Sequence, residues 1–142
     1  MTPVWGGREH VVPFVAGCAG IRPDFGNCRT MAVLDRENRM VAGIVFHDWS
    51  PEHGVIEISA AAIDRRWATR GVLKAAFGYV FGTCGCQLAV ARTAVDNRAA
   101  RRLWTAFGAR EYIIPRLRGR DVSEVIITLT QEDWAASRLN EG

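Results

Sequence analysis

The chain has 142 residues, 49% of them hydrophobic and 23% charged, which suffices for one globular core and falls short of two ordinary domains. Mean hydropathy is close to zero and no apolar run approaches the ~18 residues of a membrane helix, so a soluble, cytoplasmic protein with no membrane partner is expected. The net charge of +3 is too mild for a nucleic-acid coat protein.

Among the 18 basic residues only Lys74 is a lysine. Arginine offers a planar fork of donors that suits phosphate and carboxylate, although a GC-rich genome produces the same bias. Residues 1–28 carry the weakest pattern: His10–Gly17 reads as a short helix broken by Pro13, followed by a Pro/Gly/Asn-bearing loop to Asn27. From Arg29 two apolar runs, Arg29–Asp35 and Arg39–His47, flank the polar turn Arg36-Glu37-Asn38 and predict an antiparallel hairpin. After the turn Ser50–Gly54, the run Val55–Ile63 predicts a third strand with Glu57 and Ser59 on one face. Val72, Ala76 and Val80, beside Leu73, Phe77 and Phe81, then recur every four residues and predict a helix over 71–81 that stops at Gly82.

A strand at Gln87–Val95 follows, then a helix capped by Asp96 or Asn97, with Ala100, Leu103, Trp104 and Phe107 on its inner face and Gly108 at its end. Glu111–Leu117 and Glu124–Leu129 form a closing hairpin, and a tail helix starts near Gln131 or Glu132. The order predicts an α/β domain over 1–142: a mixed, mainly antiparallel sheet with a parallel strand pair around the first strong helix and helices on both faces. Cys18, Cys28, Cys84 and Cys86 read as reduced thiols. The one-residue gap in Cys84-Gly85-Cys86, with only His10, His47 and His53 to supplement it, argues against a metal site.

Open sheets bind ligands beyond the carboxyl ends of parallel strands, so the loop Asp64-Arg65-Arg66-Trp67-Ala68-Thr69-Arg70-Gly71 is the place to look. It opens a helix whose first turn exposes N–H groups and a positive dipole end, which suits an anionic phosphate. The bland alternative is a solvated, arginine-bearing loop.

Arg66–Gly71 resembles the pyrophosphate loop of the GNAT superfamily of acyl-CoA-dependent N-acetyltransferases, Gln/Arg-x-x-Gly-x-Gly/Ala. It matches at Arg66 and Gly71 and departs at Thr69, where a glycine is expected. Asn97–Ala109 is similar to that family's Asn-x-x-Ala-x-x-Leu-Tyr-x-x-x-Gly-Phe helix, with Trp104 in the tyrosine position. The element order over Arg29–Leu129, about four-fifths of the chain, also follows the family. Segments around Val41–Gly43, Asp48–Pro51, Glu57–Ser59 and Pro115–Arg120 resemble small phage and prophage members.

The resemblance implies acetyl-CoA as cosubstrate, no metal, and an amine acceptor that is a small molecule, a protein or a nucleic-acid base, with a homodimer as one assembly. Backbone amides of Arg66, Trp67, Ala68, Thr69, Arg70 and Gly71 would cradle the pyrophosphate. Backbone groups from Ser59, Ala60 and Ala61 to Ile63 would pair with the pantetheine arm, with Asn97 and Arg101 on its other side, between splayed strands 55–63 and 86–95. The motif tyrosine normally reprotonates the leaving thiolate, and Trp104 has no acidic proton to give, so Tyr112 becomes the candidate acid. Glu57 is the first candidate general base, because a carboxylate beside the cleft can have a raised pKa; a salt-bridged strand glutamate is the competing reading. His47 has the right ordinary pKa for the same task, and Ser59 reads as an orienting group. Eight arginines (Arg92, Arg98, Arg101, Arg102, Arg110, Arg116, Arg118 and Arg120) against Asp96 and Glu111 make 92–120 a basic segment. Its alternative role is to bind nucleic acid or a partner protein in a GNAT-fold protein that no longer catalyses.

Overall fold

A computed structural model describes residues 1–19 and 25–140 of the chain. Residues 20–24 of the predicted loop before Asn27 lie outside the described residues. Seven strands form one sheet in the order β1-β2-β3-β4-β5-β7-β6. They are β1 Thr2–Trp5, β2 Cys28–Leu34, β3 Met40–Ser50, β4 Val55–Ala62, β5 Leu88–Ala94, β6 Arg110–Gly119 and β7 Val122–Thr130. Every neighbouring pair is antiparallel except β4 and β5, which run parallel through Val55↔Leu88, Ile56↔Ala89 and Glu57↔Val90. The mixed sheet with one central parallel pair is the architecture the element order predicts. No helix among the described residues is long and apolar enough to cross a membrane.

Helix α1, Arg8–Ala19, is continuous through Pro13 and so corrects the expectation of a broken helix. Pro13 faces solvent, while Val11, Val12 and Val15 pack on Val45, so burial of three side chains offsets one lost backbone hydrogen bond. The short β1, pairing with β2 from Thr2↔Leu34 to Trp5↔Met31, had no pattern that announced it. Helix α2, Arg70–Phe77, covers the opposite face, where Val72, Leu73, Ala76 and Phe77 join Met31, Ile44, Phe46, Ile56 and Ile58 in the main core. It runs on as a π-helical segment, Gly78–Thr83, so Gly82 does not end it. Gly85, at φ 64°, makes the turn instead. Helix α3, Arg98–Thr105, packs through Trp104 against Ala91, Val125 and Ile127, and the short α4, Gln131–Ala135, is capped by Thr130.

Two glycines fix what lies where. Gly54 (φ 67°) turns the chain into β4, and its carbonyl accepts from Gln87 and Leu88 N–H, so it aligns the starts of β4 and β5. Gly43 lies under α1: a Cβ there would stand 3.1 Å from methyls of both Val11 and Val15 and 3.5 Å from Phe14. The close approach of α1 therefore depends on a missing side chain. Gly43→Val should overpack this contact and lower stability by about 1–3 kcal/mol, measured as a shift in urea midpoint at unchanged slope.

Candidate active site

The parallel pair ends at Glu57↔Val90, yet both strands continue. β4 follows β3 to Ala62, and β5 follows β7 to Ala94. The sheet thus forks beyond Glu57, between the strands expected to splay. Paired residues share a face, so Val45, His47, Glu57 and Ser59 lie on the α1 side of the fork. The Ile63 N–H donates to Val41 O, so odd-numbered residues of β4 turn their backbone groups to β3 and even-numbered ones to β5. Past the end of the ladder the Ala60 N–H points into the fork, where an extended ligand can pair like an added strand.

On this face the side chains form a connected set. His47, only 5% exposed, sits against the Phe25 ring, with 4.8 Å between centroids. Its Nδ1 is 2.7 Å from Asp48 Oδ2, its Nε2 is 2.8 Å from Ser59 Oγ, and Glu57 Oε2 lies 3.7 Å from the same Nε2. The register slips between His47 and Ser50, and Asp48 adopts φ 52°. That bulge turns the Asp48 carboxylate back onto the imidazole of its own neighbour. Sequence reasoning missed Asp48; the Asp-Trp-Ser-Pro turn after an apolar strand is the signal that marks the bulge. His47, Asp48 and Glu57 also bring possible metal-ligand atoms within 4.8 Å of one another. Both imidazole nitrogens have hydrogen-bond partners, Asp48 at Nδ1 and Ser59 at Nε2.

Across the fork, Arg92 Nη2 donates to Glu124 Oε2 at 2.8 Å, and Arg118 Nε is 3.4 Å from the other oxygen of this buried carboxylate. Burial raises the pKa of Glu57 above the ordinary carboxylate range, against the lowering effect of His47 and then Arg92. Among the described residues no ion pair joins Glu57 to an arginine, and its carboxylate lies 3.7 Å from His47 Nε2.

The loop after β4 is pre-shaped. Asp64 accepts from the Arg66 backbone N–H at 2.8 Å and from its guanidinium at 2.9 and 3.1 Å, and this holds the Asp64 carboxyl down at about 2. Thr69 caps α2 by accepting from Val72 N–H. Its φ of −71° is ordinary for a β-branched residue, so glycine is not needed there. At Gly71 a Cβ would meet nothing within 4 Å, so open space fronts the first turn of α2, where the Gly71 N–H has no helical acceptor. Those features fit a pyrophosphate. The guanidinium of Arg70 is turned away to the Leu139 carbonyl at 3.1 Å, and Arg65 is exposed. Trp67 and Ala68 pack partly against the main core. Ala60, Ala61 and Ile63 continue β4 along the fork and into the loop.

Other expected residues are occupied or remote. Asn97 caps α3 through Ala100 N–H and donates to Thr93 Oγ1 at 2.9 Å. Arg101 forks onto Glu111 at 2.8 and 3.0 Å and donates to Val95 O. Trp104 stands edge-on to Phe77 in the core. Tyr112 pairs with Ile126 on the outermost strand, half exposed, and three strands from β4 amounts to about 14 Å. The other tyrosine, Tyr79, lies on the α2 face against Trp5 and Phe46, and burial pushes its hydroxyl up to about 12. It lines an open cleft of about 320 Å³ with Arg29 and Lys74, on the opposite side of the sheet from Glu57. In the basic segment, Arg92, Arg101, Arg110 and Arg118 face carboxylates, two of which, Glu124 and Asp133, come from outside it. The segment is less positive in space than along the chain.

No protein-family model matches the chain, and no curated protein matches it. Solved structures do. The spermidine/spermine N-acetyltransferase SpeG from Vibrio cholerae superposes with a TM-score of 0.75 at 14% identity, covering 95% of this chain and 97% of that one. A dodecameric spermidine N-acetyltransferase structure from the same organism gives 0.71 at 15%, covering 94% and 95%. A GCN5-related N-acetyltransferase from Brucella melitensis gives 0.65 at 24%, covering 84% and 57%. The chain therefore has the GNAT fold.

Burial of the Glu57 carboxylate has a stability consequence. Because its folded pKa is raised, folding holds the proton more tightly than the unfolded chain does, and stability falls as pH rises from the ordinary glutamate range through the raised value. Glu57→Gln removes that loss. Thermal melts from about pH 4 to about pH 8 should show the variant gaining on the parent as pH rises; a constant difference would mean that Glu57 titrates normally.

Proposed function

We propose that the protein is an acyl-CoA-dependent N-acyltransferase that carries an acetyl group to an amine. The observation that carries this reading is the fork itself: β4 parts from β5 after Glu57, with the Ala60 N–H facing the gap, and the chain then runs straight into a helix start fronted by open space at Gly71. The same path offers a strand edge for an amide-bearing arm and a positive helix end for phosphates. The acetyltransferase names of the fold neighbours agree with this assignment.

In this reading, β4 amides beyond Glu57 bind the pantetheine arm and set the thioester carbonyl at the fork. The Ala60 N–H is placed to polarise the carbonyl oxygen. Glu57, its basicity raised by burial, takes a proton from the acceptor ammonium, and the freed amine attacks the carbonyl carbon as the C–S bond breaks. Neither tyrosine reaches the fork, so the thiolate receives its proton from solvent rather than from Tyr112. The carboxylates of Asp48 and Glu57 on the α1 side favour a cationic amine over an anionic acceptor.

Acetyl-CoA should raise the melting temperature, with about 2.7 kcal/mol of stabilisation at a hundred times Kd. Gly71→Glu puts a carboxylate into the phosphate space at a helix end that tolerates acids, so the variant should fold normally and lose the shift. Absence of a shift in the parent, or an equal shift in Gly71→Glu, would contradict the proposal.

A further inference from the structure

With the imidazole neutral, the hydrogen-bond order around His47 allows one assignment of protons. An ionised carboxylate only accepts, so at 2.7 Å from Asp48 Oδ2 the imidazole Nδ1 must carry hydrogen. In the neutral ring Nε2 is then an acceptor, and the Ser59 hydroxyl, 2.8 Å away, must donate to it. The result is a serine whose proton already points at a base, a base held in one tautomer by the exposed Asp48 carboxylate, and an imidazole kept from solvent by Phe25. Amine acylation with Glu57 as the base needs neither the Ser59 proton nor the His47 imidazole. His47 and Ser59 also come from adjacent strands in fixed register, Val45↔Ser59 and His47↔Glu57, so the contact is held by the sheet rather than by a loop.

We propose that Ser59, His47 and Asp48 form a nucleophilic triad that cleaves activated acyl esters and thioesters through an acyl-Ser59 ester. Ser59 Oγ attacks the acyl carbonyl carbon while its proton passes to His47 Nε2. The neighbouring Ala60 N–H faces the fork beyond the β4–β5 ladder and is positioned to stabilise the oxyanion. Collapse breaks the bond to the leaving group, and the departing thiolate or alkoxide takes the proton from Nε2. Water then attacks the ester carbon and gives a proton to Nε2. The carbon–Oγ bond breaks, Oγ regains the proton, and a carboxylic acid leaves. The sum is acyl thioester plus water to carboxylic acid plus thiol, with no oxidant or reductant. The imidazolium formed in each half has Asp48 on one side and Glu57, 3.7 Å from Nε2, on the other. With acetyl-CoA as the acyl donor the activity rests on the transferase reading; with a simple ester it does not.

The test treats the whole protein, without any amine, with p-nitrophenyl acetate, with acetyl-CoA, and separately with a fluorophosphonate probe followed by peptide mapping. Nitrophenol release and probe attachment at Ser59 are expected, both lost in Ser59→Ala, with release reduced about 10²–10⁴-fold in His47→Asn and Asp48→Asn. Circular dichroism melts of the variants check folding, and Ser59→Cys should keep a burst of nitrophenol with an acetylated residue 59 seen by mass spectrometry. Ester cleavage and Ser59 labelling without any acetyl-CoA binding would sustain the triad while removing the transferase reading. Acetyl-CoA binding with no label at Ser59, or cleavage unchanged in Ser59→Ala, would overturn the triad and leave the transferase reading standing.

Discussion

The structure turns on one interruption: β4 and β5 pair for three residues and then separate. A sheet normally satisfies every interior N–H and C=O across its ladders, and an open gap between two central strands leaves backbone groups in want of partners. Here the gap is held by what lies on either side of it. β4 is committed to β3 through His47↔Glu57 and on to Ala42↔Ala62, and β5 is committed to β7 through seven paired residues from Leu88↔Thr130 to Ala94↔Glu124. Gly54 fixes the common origin of the two strands, and the helices on the α2 face bridge them from behind.

That opening explains the distribution of charge around it. Polar side chains cannot be left single in a half-buried cleft, and each wall of the fork carries its own closed set. On the β4 side His47 links Asp48, Ser59 and Glu57; on the β5 side buried Glu124 links Arg92 and Arg118. The first set centres on an imidazole and the second on two guanidinium groups around one carboxylate. Arg92 also lowers the cost of the Glu57 carboxylate, so the two walls are coupled electrostatically across the gap.

Much of the fold was legible because its elements have strong periods and clean punctuation. The β2–β3 hairpin, β4 with Glu57 and Ser59 on one face, the α2 stripe and the Asn97 cap of α3 all follow from local pattern. What local pattern misses is what tertiary contact decides. Pro13 argues against α1, but the fit of Val11 and Val15 over Gly43 carries the helix through it. Gly82 looks like a stop, yet the chain continues in π-helical geometry to Thr83. At the site, the strand and loop backbones were readable and the partnerships were not. Asn97, Arg66, Arg70 and Arg101 resemble ligand-binding residues by spacing, and in space their side chains hold caps, loops and ion pairs. Among the described residues seven of the arginines, Arg39, Arg66, Arg70, Arg92, Arg101, Arg110 and Arg118, thus serve internal carboxylates and carbonyls. The Asp48–His47–Ser59 chain depends on a bulge and a left-handed aspartate, neither of which leaves a periodic trace.

The central claim is that the gap beyond Glu57 is a seat for an extended, amide-bearing ligand. A crystal structure of the protein grown with coenzyme A tests it most directly. The account predicts pantetheine amides hydrogen bonded to the β4 backbone past Glu57, near Ala60, and the pyrophosphate over the first turn of α2 at Gly71. Coenzyme A bound elsewhere, or β4 and β5 paired continuously past Glu57 and Val90, would contradict it.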